Sequence, residues 1–235
     1  MNQPSFDYTN LTDRPTSTFI RISSKLLPGV RKVQAQIIPY AEAWNRANHG
    51  ALTQEGPLWV VLGDSMAQGV GASAYDHGWV GQLHDLLQKT GKNYRIINLS
   101  VSGARVTDVL EQQLPAMREI NSTPALVTVL IGSNDMLRKK YRQNLASNYA
   151  KLLQQLPPHA VLLSPFRNSG VGETVNELIK RNAKNLDIIV VNNTLHNGVR
   201  SWKGKLAEDH FHPNDDGYKE FALLFYDVLK EKFTQ

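Results

Sequence analysis

Downstream of Gly56, five short apolar runs recur along the chain: Leu58–Leu62, Tyr94–Leu99, Leu126–Ile131, Ala160–Leu163 and Asp187–Val191. They are rich in Val, Ile and Leu and lack strict polar alternation. Strands read this way when both faces of a parallel sheet are covered. Between them lie longer segments with helical spacing. One carries Trp79, Val80, Leu83, Leu86 and Leu87; the others are Val106–Ile120, Tyr141–Leu156 and Val175–Leu186, and Tyr218–Phe233 closes the chain. Strand and helix alternate five times, which predicts an α/β fold: a three-layer α/β/α sandwich around a mainly parallel five-stranded sheet.

The pattern upstream is different. Residues 1–18 are rich in Ser, Thr, Asn, Asp and Pro and read as irregular. Ile22, Leu26, Leu27, Val30, Val33, Ile37 and Ile38 then recur at roughly helical spacing, with Pro28 and Pro39 limiting how far a helix runs. The expectation is one or two short helices outside the main sheet. The chain divides on this reading into an N-terminal extension, 1–55, and an α/β domain, 56–235.

Composition adds little to the fold but narrows the chemistry. An apolar fraction of 41% and a charged fraction of 20% describe an ordinary globular protein. There is no cysteine, which excludes disulfides and thiolate metal sites. No stretch approaches the ~20 apolar residues of a membrane-spanning helix, and the N-terminus does not read as a signal peptide. A cytoplasmic protein is expected. The net charge of +5 is uneven: from Arg14 to Ala41 there are Arg14, Arg21, Lys25, Arg31 and Lys32 and no acid. Such a stretch is either a solvated face or a surface for an anionic partner. Peripheral membrane contact is one reading of it; a nucleic-acid partner is not expected.

In open parallel sheets, ligands bind beyond the C-terminal ends of the strands. The first strand is followed by Gly63-Asp64-Ser65-Met66, the second by Ser100-Val101-Ser102-Gly103, and the third by Gly132-Ser133-Asn134-Asp135. Ser65 sits at a strand-to-loop turn within Gly63-Asp64-Ser65-Met66-Ala67-Gln68-Gly69-Val70-Gly71. The alternative for such a segment is a glycine-rich turn whose Asp and Ser cap a helix. It is not a Walker phosphate loop, because the Gly-Lys-Ser/Thr ending is missing.

A serine hydroxyl needs a base to become a nucleophile, and histidine titrates in the right range. Of seven histidines, His212 stands out in Asp209-His210-Phe211-His212-Pro213. A carboxylate three residues earlier can reach back to the imidazole Nδ1–H and fix its tautomer. His210 is a rival base, and a metal site built from Asp209, His210 and His212 a second rival. Acyl transfer also needs fixed donors for the oxyanion of the tetrahedral intermediate. Ser65 N–H, Gly103 N–H and the Asn134 side-chain amide are suited to that role, though an asparagine in such a loop can simply hold a turn.

Together these residues resemble the GDSL, or SGNH, hydrolase superfamily. Its four named residues match Ser65, Gly103 in Asn98-Leu99-Ser100-Val101-Ser102-Gly103, Asn134 and His212, in order, with the blocks spread over residues 58–217. The resemblance implies the flavodoxin-like SGNH hydrolase fold and hydrolysis of small-molecule carboxylic esters through an acyl-enzyme. It implies Ser65, Asp209 and His212 as the catalytic triad, and an oxyanion hole from Ser65, Gly103 and Asn134. No metal or organic cofactor is expected. Met66 replaces the leucine of the family name, a near-isovolumetric change. Asp64 and Asp135 are expected to hold loops. Lysophospholipase, lipase or carbohydrate deacetylase activity uses the same machinery, and acyl transfer to another alcohol and a non-catalytic binding module are further alternatives. Nothing transfers from the family to the first ~55 residues.

Overall fold

The computed structural model describes residues 6–14, 18–192 and 202–233. Three helices come first: α1 (Thr18–Leu26), α2 (Pro28–Gln34) and α3 (Ile37–Thr53). Five strands follow: β1 (Leu58–Gly63), β2 (Arg95–Asn98), β3 (Leu126–Leu130), β4 (Val161–Leu163) and β5 (Ile189–Val191). The crossovers contain α4 (Trp79–Gln88); α5 (Val106–Asp108), which runs through a π-helical turn at Val109–Gln113 into α6 (Leu114–Glu119); the short α7 (Ser133–Met136) and α8 (Lys139–Arg142); α9 (Leu145–Gln155); and α10 (Gly170–Ala183). α11 (Asp215–Phe233) closes the described chain.

The sheet order is β2-β1-β3-β4-β5, and every pairing is parallel. The side-chain period of two splits β1 between two cores. Leu58, Val60 and Leu62 face the layer that holds α5, α6, α9 and α10. Trp59 and Val61 face the layer of α4 and α11. In that second layer Trp79 stacks on Phe225 with ring centroids 4.5 Å apart. Trp59 donates its indole N–H to Thr128 Oγ1 at 2.8 Å, which satisfies the hydroxyl of a buried strand threonine. Both faces being covered explains why the strands read as continuous apolar runs.

The N-terminal third differs from the expectation of one or two short helices. α3 is seventeen residues long, packs along β2, and buries Ala41, Trp44, Asn48 and Ala51. The prolines start helices here. Pro28 is the first residue of α2 and Pro39 lies in the first turn of α3, where a missing N–H breaks no intrahelical bond. Residues 6–14 form no helix or strand, yet they are sewn to the β2 edge. Asn10 is fully buried; its amide donates to Asn98 O at 2.8 Å and Ser100 O at 2.7 Å, and its Oδ1 accepts from Asn48 at 2.9 Å.

β1 lies in the middle of the winding, with β2 on one side and β3 on the other. The chain therefore reverses direction across the sheet beside β1, leaving a crevice at its C-terminal end. The loops after β1, β2 and β3 stand side by side there.

Candidate active site

The loop after β1 begins a helical turn in which Asp64 O accepts the N–H groups of Ala67 and Gln68. That turn lifts Ser65 out of the end of the strand. Gln113, from the π-helical turn, fixes the strand end from below. Its Oε1 accepts Gly63 N–H at 2.9 Å and its Nε2 donates to Gly63 O at 2.8 Å. The extra residue of a π turn re-aims a side chain, and such turns recur at functional sites.

His212 approaches from the loop before α11. Leu206 and Pro213 form an antiparallel bridge, and Ala207 N–H donates to His212 O at 2.8 Å, which closes the loop. His210 takes a left-handed conformation (φ 55°), letting the chain curl so that Asp209 Oδ1 accepts the N–H groups of Phe211 and His212, each at 3.0 Å. Asp209 Oδ2 then lies 2.6 Å from His212 Nδ1, and His212 Nε2 lies 3.0 Å from Ser65 Oγ. In the tautomer that carries its proton on Nδ1, toward Asp209, Nε2 is an acceptor facing Ser65 Oγ. Burial works to raise the Asp209 pKa, but the His212 hydrogen bond and charge and the two backbone donors outweigh it, so the carboxyl lies below its ordinary value. His210, the rival base, is exposed, whereas Ser65 and His212 are both buried.

The remaining candidates lie on the loops after β1, β2 and β3. Ser65 N–H and Gly103 N–H have no acceptor among the described residues. Gly103 adopts φ +79°, and a side chain there would meet nothing within 4 Å. The space beside its Cα is therefore open. Asn134 Nδ2 is already engaged, donating to Ala104 O at 2.9 Å and to Asp64 Oδ2 at 3.2 Å. Asp64 Oδ2 also accepts from Ser133 Oγ at 2.6 Å, and Oδ1 accepts Met66 N–H at 3.0 Å. Burial raises the Asp64 pKa, against these donors and the charge of His212. Asp135 accepts Val106 N–H at 3.1 Å, and burial pushes its carboxyl up to about 6. Both aspartates tie the loop after β3 to the other two.

Ser65, Gly103, Asn134, Asp209 and His212 thus meet at one edge of the sheet. Other histidines have polar partners as well, from four to 28 residues away. His77 Nδ1 lies 2.7 Å from Ser73 Oγ, and His159 Nδ1 lies 3.1 Å from Asp187; both pairs are exposed, and neither includes Ser65. His84 is half-buried on Tyr94 O, His49 is exposed, and His196 lies outside the described residues. Among the described residues no group of three or more His, Cys, Asp or Glu could hold a metal ion.

Several supporting residues were not singled out from sequence. Gln68 is fully buried, donates to Ser100 O and Asn10 O, and accepts from Ser102 Oγ. Gln113 occupies a core-facing helical position, and a lone amide on an otherwise apolar face was the available signal. Arg14 donates to Gly103 O and pairs with Asp108. Nothing in its local sequence marks it.

The esterase TesA of Pseudomonas aeruginosa is 35% identical over 96 residues, 41% of this chain and 46% of that protein. The arylesterase of Vibrio mimicus is 32% identical over 103 residues, 44% of this chain and 50% of that protein. The matched stretch therefore spans about half the length of these curated relatives. Among solved structures, a crystal structure of TesA superposes with a TM-score of 0.59 at 28% identity, covering 74% of this chain and 98% of that one. A family 3 carbohydrate esterase from Clostridium thermocellum shares the fold at 15% identity and a TM-score of 0.59, over 75% of this chain and 96% of that one. The GDSL-like lipase/acylhydrolase family model matches residues 61–220, and the chain belongs to that family.

Proposed function

We propose that the protein hydrolyses carboxylic esters through an acyl-enzyme on Ser65. Ser65 Oγ attacks the ester carbonyl carbon as its proton passes to His212 Nε2. The carbonyl oxygen becomes an oxyanion and accepts from Ser65 N–H, Gly103 N–H and the Asn134 amide, whose longer bond to Asp64 gives way. Asp209 holds the imidazole and stabilises the imidazolium. His212 then protonates the alcohol oxygen as the C–O bond breaks, leaving the acyl group on Ser65. Water repeats the sequence, losing its proton to His212 and releasing the acid and the free serine. The scheme draws on side chains and backbone alone and needs no metal or organic cofactor.

The observation that carries this reading is the continuous chain Ser65 Oγ–His212 Nε2, 3.0 Å, and His212 Nδ1–Asp209 Oδ2, 2.6 Å, with the Ser65 and Gly103 N–H groups lacking acceptors among the described residues. Membership of an acylhydrolase family supports the same chemistry. The test is Ser65→Ala against p-nitrophenyl acetate, with fluorophosphonate labelling of the wild-type protein. Loss of nearly all turnover together with labelling at Ser65 is expected. A Ser65→Ala protein retaining its rate, or folded wild-type protein that does not label, overturns the assignment; the second result is that of a binding module.

A further inference from the structure

We propose that the α1–α2 hairpin and the neighbouring catalytic loop form a docking surface for a lipid bilayer bearing anionic headgroups. The inference goes beyond ester hydrolysis and does not rest on it.

Over Ile22–Leu26 of α1, the apolar side chains are more exposed than the serines between them. Ile22 and Leu26, four residues apart on one face, are 53% and 74% exposed, while Ser23 and Ser24 are half-buried. Leu27, between the helices, is 55% exposed. Single exposed apolar residues are ordinary, but clustering is not. Of the nine large hydrophobics exposed among the described residues, six (Ile22, Leu26, Leu27, Ile38, Leu206 and Phe211) belong to this hairpin, the start of α3 and the catalytic loop.

These segments are physically joined. Gly29 of α2 lies so close to Glu208 that a Cβ there would sit 2.3 Å from its carbonyl oxygen. Lys32 pairs with Glu208, and Val33 packs with Val70 and Ala207. Phe211 is half exposed and stands edge-on to the His212 ring, with centroids 5.0 Å apart. The apolar patch therefore borders the mouth of the candidate active site.

Charge selects the occupant. Lys25 and Arg31 are exposed on the same hairpin, Lys32 is neutralised by Glu208, and no acid occurs in the sequence between Arg14 and Ala41. Apolar side chains entering the acyl boundary with basic ones at headgroup level is the pattern of an interfacial helix. A second copy meeting this patch about a two-fold axis would set basic residues against basic residues.

The test uses the full-length Ser65→Ala protein in co-sedimentation with vesicles of phosphatidylcholine alone or with one-third phosphatidylglycerol. Partitioning about 10-fold or more higher onto the anionic vesicles is expected, collapsing in high salt. Leu26→Ser with Leu27→Ser should reduce it about 10-fold or more without changing Tm. Lys25→Glu with Arg31→Glu should remove the anionic preference. In the wild-type background, both double variants should keep full turnover of soluble p-nitrophenyl acetate. Absent or headgroup-independent binding, or binding unchanged in the leucine variant, overturns the proposal. So does a concentration-dependent dimer that the leucine variant abolishes, which would make the patch a self-interface. Vesicle binding by a wild-type protein that lacks esterase turnover leaves the docking surface standing and removes the esterase reading alone.

Discussion

The Arg14 guanidinium donates to the carbonyl oxygen of Gly103 and, through its other terminal nitrogen, to the Asp108 carboxylate. Asp108 in turn accepts Arg105 N–H at 2.6 Å. Residue 14 thereby clamps both ends of the turn that presents the Gly103 N–H. A planar fork holds two acceptors at once; an ammonium cannot reproduce that geometry. Arg14 touches no reacting atom on this scheme, so it is a positioning residue. Arg14→Ala should lower kcat about 10-fold, less than outright loss of an oxyanion donor, with KM nearly unchanged. Arg14→Lys should recover part of the loss. Steady-state kinetics on a p-nitrophenyl ester checks this, and a change in KM alone would contradict it.

Gly71 makes the corresponding contact on the other side of the site. It holds φ +100°, and a Cβ there would fall 2.4 Å from Pro213 O and 2.7 Å from His212 Cβ. Gly71→Ala must therefore move the base. Gly91, at φ +78° with nothing within 4 Å, gives the control, since alanine there meets backbone strain alone. Both substitutions should cost about 1–2 kcal/mol through the left-handed conformation. Only Gly71→Ala should also lower kcat, by about 10²-fold if the imidazole moves 1 Å. Equal turnover in the two variants would show that His212 tolerates displacement.

What could be read in advance follows from how locally each feature is encoded. The strands were legible because burial on both faces forces a run of Val, Ile and Leu, as in Leu58–Leu62. Ser65, Gly103, Asn134 and His212 could be picked out as candidates because each follows or precedes a recognisable element and is of a restricted residue type. Asn10 was not. Thr9-Asn10-Leu11 looks like surface loop, and its burial depends on acceptors 88 and 90 residues away. Arg14 was hidden for the same reason. The prolines misled in a different way: Pro28 and Pro39 do limit helices, but by standing at their starts. The segment Tyr141–Leu156, which reads as one helix, is broken into α8 and α9 around Gln143 and Asn144, and its apolar spacing carries no trace of that break.

Asn134 is the proposed donor that is already hydrogen-bonded in the structure. Its Nδ2 spans Ala104 O and Asp64 Oδ2, so it also ties the loop after β3 to the loops after β1 and β2. On the proposed scheme, removing it takes away one oxyanion donor while leaving the Ser65 and Gly103 N–H groups. Asn134→Ala should lower kcat on the order of 10²–10³-fold, with little change in KM. Fluorophosphonate labelling, which also builds negative charge on oxygen, should slow in parallel. A drop confined to KM would place the amide in substrate binding instead.

Asp135 gives a pH signature in stability rather than rate. Its carboxyl titrates near about 6 in the folded protein, raised chiefly by burial, against an ordinary value of 3.8. The folded state thus holds the proton more tightly than the unfolded chain. The stabilising contribution is complete below about pH 4 and is lost as pH rises through 6, above which the fold carries a buried carboxylate. Asp135→Asn keeps an acceptor for Val106 N–H and removes the charge. At pH 8 the variant should be more stable by about 1–3 kcal/mol, from a shift of about two units. The gain should shrink between pH 6 and pH 4 and vanish below. Urea unfolding at pH 8 and pH 4 measures both ends, and a gain independent of pH would rule out ionisation of Asp135 as its source.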